Sequence, residues 1–439
     1  MSKAIIKKAL LVLLFGALKV PLEAQTPAEL LLKRAEILEN HNWRQALLSE
    51  LRKPASQLRE KIERYAYRNE SPHTYEAQEI LLKVFLKKNT AFFLFINKVA
   101  GKYPEAARGN FLIRRSLQSG QFESILAFYR NEEGCYLELM PQAKNTLGNV
   151  YLFGRLQYKN LILPLPIEEC LTISFADLIA MTWGSVAWEK ILGVGQRPED
   201  KLIEELIAQL QANLPQIHPK DDGAMDEQGR FVYIASGKPQ TKPYGFNCSG
   251  FVKWLSDGFY FKLTGKLLGL ERLKQKHPKL RGNRLTEKYD NERDPFFGLD
   301  WIRNCAVAVY EAQTAQVDLV ATSRDVGFVE GFSFIPNVGF KISDLKQVLF
   351  YLAQANPGTI YLGVINSISR QDPFYISYYH VLALVPYFDA AGEFRILVFD
   401  QHKDLSFDVF QKKYFKENIF ITRLEVSTGF SPLPLSIEK

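Results

Sequence analysis

One of the four cysteines in the chain stands in a setting that favours reactivity. The stretch Tyr244-Gly245-Phe246-Asn247-Cys248-Ser249-Gly250-Phe251-Val252 is rich in turn residues up to Cys248 and compatible with a helix after it. It predicts a helix that begins at or just after Cys248 and runs on through Lys253-Trp254-Leu255. A thiol there lies in the positive end of the helix dipole, where unpaired first-turn N–H groups favour the thiolate. The same groups are suited to hold the oxyanion of a carbonyl under attack. Ser249 and Gly250 are small, so a substrate carbonyl can approach closely. A buried structural cysteine is the competing reading, and the small polar neighbours argue against it.

A thiol nucleophile needs a base, and six histidines are available. His41 and His73 lie where the texture is helical, His218 precedes a turn, and His277 sits in the basic stretch Leu273 to Lys279. His380 differs: it opens an apolar strand, Val381 to Val385. The turn Asp389 to Gly392 and the strand Phe394 to Phe399 then predict a hairpin that returns the chain to the level of His380 near Asp400. A third polar group should fix the tautomer of the imidazole. Alternation places Asp400 and His402 on one face and Gln401 on the other. Asp400 is expected to be that group, with His402 as the alternative.

The run Gly245 to Val252 resembles the active-site signature of the NlpC-type cell-wall cysteine peptidases, which usually carry Asp where this chain has Asn247. His380-Val381 is similar to the strand start that bears the histidine in that family. The resemblance covers residues 240–257 and 357–402. It implies a papain-like fold, with Cys248 on a helix and His380 on the adjoining sheet, and cleavage of peptide bonds in peptidoglycan stems. That family more often uses His, Asn or Gln as the third group, which brings His402 and Gln401 into competition. Asp at position 400 is similar instead to the bacteriocin-processing peptidases. By analogy with the papain-like Gln, Gln240 would assist the oxyanion, and Tyr244 would serve as a pocket wall or hydrogen-bond donor. The gap between Cys248 and His380 is longer than in compact members and implies an insertion over 262–340. Its basic part, Lys274 to Arg284, reads as a solvated loop, and Asp300 to Val307 reads as a helix.

The elements that must position these residues follow from the rest of the chain. With 439 residues, 47% hydrophobic and 23% charged, the chain reads as globular and as more than one domain. A formal charge of +7, spread along the sequence, does not argue for nucleic acid. The absence of a CxxC pair, a His-Glu-x-x-His run, a phosphate loop and a dinucleotide turn predicts neither metal nor cofactor. Lys3, Lys7 and Lys8, the apolar run Ala9 to Leu18 and Leu22-Glu23-Ala24 read as a signal peptide over 1–24. Export to a bacterial periplasm or outside the cell follows, with no stable membrane span after cleavage. A helical region over 25–105 is expected, with its third stretch at Tyr75 to Ala100. A β module with linking helices follows over 106–215, then a catalytic domain over 216–439, giving an α+β class. In an oxidising compartment Cys135 and Cys170 have the opportunity to pair. The expected function is an exported cysteine peptidase or amidase acting on peptidoglycan or envelope proteins, the N-terminal modules contacting protein partners. The alternatives are a non-catalytic envelope scaffold and a thiol acyltransferase.

Overall fold

The computed structural model describes residues 73–75, 78–171, 173–193, 195–282, 294–370, 372, 375–426, 429–433 and 435. The expected signal peptide and the helical reading of 25–72 lie outside the described residues. The described residues form two compact units, one of those up to 151 together with 156–192, the other of 152–155 together with those from 193 onward.

The first unit is built on an eight-stranded sheet whose spatial order is its sequence order. Its strands are β1 (His73–Tyr75), β2 (Gln78–Lys87), β3 (Thr90–Asn97), β4 (Phe111–Ser116), β5 (Phe122–Phe128), β6 (Tyr136–Gln142), β7 (Asn145–Leu152) and β8 (Arg155–Leu163). The short apolar runs between Phe111 and Leu165 lie on β4 to β8. The helix expected over Tyr75 to Ala100 does not form; β2 and β3 occupy that stretch as a hairpin. Lys88 takes a left-handed φ of 56° at the reversal, and Lys87 pairs with Thr90. Ala91 and Phe93 to Ile96 are buried, so the second half of β3 is covered on both faces. Lys83 and Lys87, four apart, imitate the polar stripe of a helix, which is why the periodicity misleads. Three short helices follow: α1 (Ile167–Cys170), α2 (Phe175–Thr182) and α3 (Trp188–Leu192). Cys135 and Cys170 are both buried, and neither is in a disulfide.

The second unit has a six-stranded antiparallel sheet in the order β11-β16-β12-β13-β14-β15. These strands are β11 (Phe340–Lys341), β12 (Thr359–Ile368), β13 (Ile376–Phe388), β14 (Phe394–Asp400), β15 (Lys403–Ser406) and β16 (Asn418–Glu425), and a separate pair is formed by β9 (Gly223–Met225) and β10 (Phe231–Tyr233). The helices are α4 (Pro198–Asn213), α5 (Cys248–Thr264), α6 (Leu270–Leu273), α7 (Phe297–Thr314), α8 (Leu345–Ala355) and α9 (Phe407–Tyr414). The class is α+β. Phe251, Trp254 and Phe259 of α5, Trp301, Ile302 and Ala306 of α7, and Val364, Val381 and Ala383 of the sheet share one core. Burying each of the larger apolar side chains contributes about 1.5–3 kcal/mol. Helix α7, inside the stretch 262–340, is therefore a layer of the core. Helix α5 is buried even at its charges: Lys253 Nζ meets Asp257 Oδ2 at 2.5 Å, and Asp257 Oδ1 accepts the Leu268 N–H at 2.8 Å. Helix α8 starts after a 3₁₀ turn, with Asp344 at the cap and no side-chain cap bond.

Candidate active site

Cys248 is the first residue of α5. Asn247 caps the helix, its Oδ1 accepting the Gly250 N–H at 2.8 Å. It meets one of the unpaired donors of the first turn without adding charge. Among the described residues the N–H groups of Cys248 and Ser249 carry no hydrogen bond, which leaves two donors beside the thiol. The approach to the helix is pinned. Phe246 exchanges backbone hydrogen bonds with the His218–Lys220 segment, and Asn247 N–H donates to Gly223 O at 3.0 Å. These crossings demand glycine. A Cβ on Gly245 would stand 2.1 Å from His218 O, and one on Gly250 would stand 2.0 Å from Gly223 O. The glycines of the motif thus let the nucleophile segment lie against the 218–223 backbone.

His380 lies within β13 rather than at its start. It pairs with Ile365, and the register slips between Ile365 and Asn366, so that Tyr379 is an extra residue beside the histidine. A bulge of this kind re-aims the neighbouring side chain. The hairpin register runs from Phe388↔Phe394 to Ala383↔Phe399. One step further, Asp400 stands level with Leu382, which shares a face with His380, so carboxylate and imidazole are diagonal neighbours. Asp400 Oδ1 lies 2.9 Å from His380 Nε2, with both side chains largely buried. The approach is off the line of the ring N–H, so the contact is an ion pair at hydrogen-bonding range rather than a linear hydrogen bond. His380 and Cys248 line the same cleft, and each is the other's electrostatic partner. Because Nε2 faces Asp400, Nδ1 is the nitrogen left for the sulfur.

The electrostatics follow from these contacts. Burial disfavours the imidazolium, but Asp400 and Cys248 outweigh it and raise His380 from 6.5 to about 9. Burial likewise opposes ionisation of Cys248, yet His380, the Val381 backbone N–H and Ser249 together bring the thiol below its ordinary value. Asp400, despite burial, is held below the usual carboxylate range by His380 and, more weakly, by Lys413 and Lys403. The combination shifts the couple towards a thiolate–imidazolium pair. By contrast, burial pushes Cys170 up to about 11 and Cys305 up to about 12.

The remaining expected residues divide. His402 and Gln401 form the turn between β14 and β15, with Gln401 at a left-handed φ of 58°. Gln401 Nε2 donates to Phe246 O at 2.6 Å, while His402 makes no contact with His380 among the described residues. Gln240 does not reach the thiol. Its Nε2 donates to Val232 O at 2.9 Å and Gly245 O at 3.0 Å, and its Oε1 accepts the Gly245 N–H at 2.9 Å. The amide is committed to holding the turn before the motif and has no hydrogen left for an oxyanion. Tyr244 stacks on Phe231 at 5.4 Å and lies outside the cleft.

That cleft, about 780 Å³, is lined around Cys248, Ser249 and His380 by the acidic Asp221, Asp222, Asp294 and Asp300 and the aromatic Phe297, Tyr375, Tyr378 and Tyr379. The basic stretch Lys274 to Arg284 is not simply solvated: Lys274 and Lys276 line the cleft. Arg281 is 1% exposed and donates to both Asp294 and Asp300. Trp301, on α7, donates through Nε1 to Ser249 O at 3.0 Å, tying α7 to the start of α5. Sequence reading missed Trp301 and Arg281, since nothing local links them to the motif. Among the described residues no cluster of three or more His, Cys, Asp or Glu is arranged to hold a metal ion, and no helix is long and apolar enough to cross a membrane.

Residues 33–190 are similar to a family described as a domain of unknown function, DUF8515, and that match ends before the cleft residues begin. No curated protein and no solved structure matches the chain.

Proposed function

We propose that the chain is an exported cysteine peptidase or amidase, with a papain-like catalytic unit acting on peptide bonds of peptidoglycan stems or envelope proteins. The observation that carries this reading is the convergence of Cys248, His380 and Asp400 at a helix start, beside two unpaired N–H groups and an open cleft. In this mechanism the Cys248 thiolate attacks the substrate carbonyl carbon, and the oxyanion forms against the N–H groups of Cys248 and Ser249. Collapse breaks the C–N bond as the imidazolium of His380 gives its proton to the leaving amine. A thioester remains. His380, now neutral, takes a proton from water, the hydroxide adds to the thioester carbon, and the carboxylic acid and the thiolate separate. Asp400 keeps Nδ1 turned to the sulfur and stabilises the imidazolium throughout. The N-terminal sequence supports export, which calls for a mature chain beginning near Gln25; Met1 on protein from a cytosolic fraction would contradict it.

The test uses an iodoacetamide probe at mildly acidic pH on one sample and, on separate unlabelled protein, incubation with purified sacculi. Labelling should fall on Cys248 and spare Cys135, Cys170 and Cys305, and new muropeptides should appear that Cys248→Ala does not release. Full hydrolysis by Cys248→Ala removes the reading. Unchanged muropeptides alongside a labelled Cys248 redirect it to protein substrates.

A further inference from the structure

We propose that Tyr414 is a positioning residue for the base, its ring laid along the imidazole of His380 so that the imidazolium keeps the tilt that serves both Cys248 and Asp400. The inference rests on the thiol-enzyme reading above. The two ring centroids are 6.1 Å apart and the planes 27° from parallel, within the range of stacked aromatic pairs. A protonated imidazole over an aromatic face gains a further attraction.

The need for such a contact is visible in the geometry. Cys248 and Asp400 hold the imidazole by its edges, and the carboxylate stands off the N–H line. Edge contacts of that kind leave the tilt of the ring weakly determined, and a neighbour on its face supplies the missing restraint. Tyr414 is well placed to be rigid. It ends α9, which Ser406 caps by accepting the Val409 N–H, and it packs at 5.4 Å on Phe410, which is fully buried. The carboxylate and the stacked ring also arrive on one continuous stretch, β14 through α9. The charged and titratable groups around the imidazole are Cys248 and Asp400, with Lys403 and Lys413 near the carboxylate. Tyr379 precedes His380 in β13, with Glu417 beside it. The Lys413 ammonium sits 4.7 Å from the Tyr414 ring centroid. These residues persist in the variants below, but Lys413 interacts with both the ring and the hydroxyl of Tyr414, so the comparison of the Ala and Phe variants separates the ring from the hydroxyl.

The experiment compares full-length wild type, Tyr414→Ala and Tyr414→Phe by the rate of Cys248 alkylation with iodoacetamide from mildly acidic to alkaline pH, read by mass spectrometry of the labelled peptide. Near-UV circular dichroism checks the fold. Wild type should react in mildly acidic solution. Tyr414→Ala should react about fivefold more slowly there, with its inflection moved to higher pH, and Tyr414→Phe should restore the wild-type profile. If Tyr414→Ala does not fold, Tyr414→Leu takes its place with the same expectation. A wild-type profile in the truncated variant, or a Phe variant no better than Ala, overturns the inference while leaving the nucleophile assignment intact. A wild-type Cys248 that alkylates only like an ordinary thiol overturns the thiol-enzyme reading, and this inference with it.

Discussion

Replacing Asp400 by Asn keeps the shape of the side chain and removes its charge. In the native protein His380 is raised from 6.5 to about 9, and Asp400 is the leading cause that raises it. At 1.36 kcal/mol per tenfold change, the shift corresponds to about 3 kcal/mol in favour of the imidazolium. The sign is set by which form is charged: with Asp400 present, His380 holds its proton up to about 9 and the thiolate–imidazolium pair survives to that pH. In Asp400→Asn burial acts with less opposition, so the alkaline limb should fall towards ~7, and the thiol, facing a weaker cation, should ionise at higher pH. The window of reactivity narrows from both sides. The pH profile of Cys248 alkylation measures the acid limb. The alkaline limb is read from hydrolysis of whichever substrate the sacculus test reveals, since that needs the imidazolium. That hydrolysis should drop ~10²-fold or more, as for loss of an orienting group in a triad. An unchanged profile in Asp400→Asn, or a greater loss in His402→Ala, would refute the reasoning and move the third role to the β14–β15 turn.

Two further substitutions probe the scaffold that delivers the thiol. Gln240→Ala leaves the N–H and the carbonyl of Gly245 without their partner, so it should cost about 3 kcal/mol in denaturant unfolding; a variant as stable as wild type would show that the amide does not hold the turn. Gly250→Ala forces a Cβ to 2.0 Å from Gly223 O, and a backbone that cannot yield should cost about 3 kcal/mol or more. A wild-type melting temperature in that variant would show that β9 and α5 can separate without penalty.

What the sequence disclosed and what it concealed divides along physical lines. The start of α5 was legible because a turn-rich approach, a cap and small residues all sit within a few positions of Cys248. The hairpin placing Asp400 near His380 was legible because strand alternation and a short turn determine the register. The β2–β3 hairpin was not, because lysines four apart and abundant leucine imitate a helix until the reversal at Lys88 is known. The bulge at Tyr379 leaves no compositional trace. Gln240 was misassigned because its distance along the chain says nothing of where its amide points, and in the fold it points at backbone. Arg281, Trp301 and Tyr414 reach the site from segments with no local sign of it, so only tertiary packing brings them into view.

The bond from Gln401 to the Phe246 carbonyl joins residues 155 positions apart. Its consequence concerns time. While the strands β13 and β14 are unformed, Cys248 has neither the imidazole nor the carboxylate beside it, and only the helix start acts on the thiol. Contacts of such long separation form late, because the entropy of closing the loop must be met before they contribute. The closure that seats Gln401 under Phe246 brings the base with it, so the thiol gains its nucleophilicity only as the sheet is completed. A half-folded chain therefore carries Cys248 without the imidazole and the carboxylate that the completed sheet sets beside it.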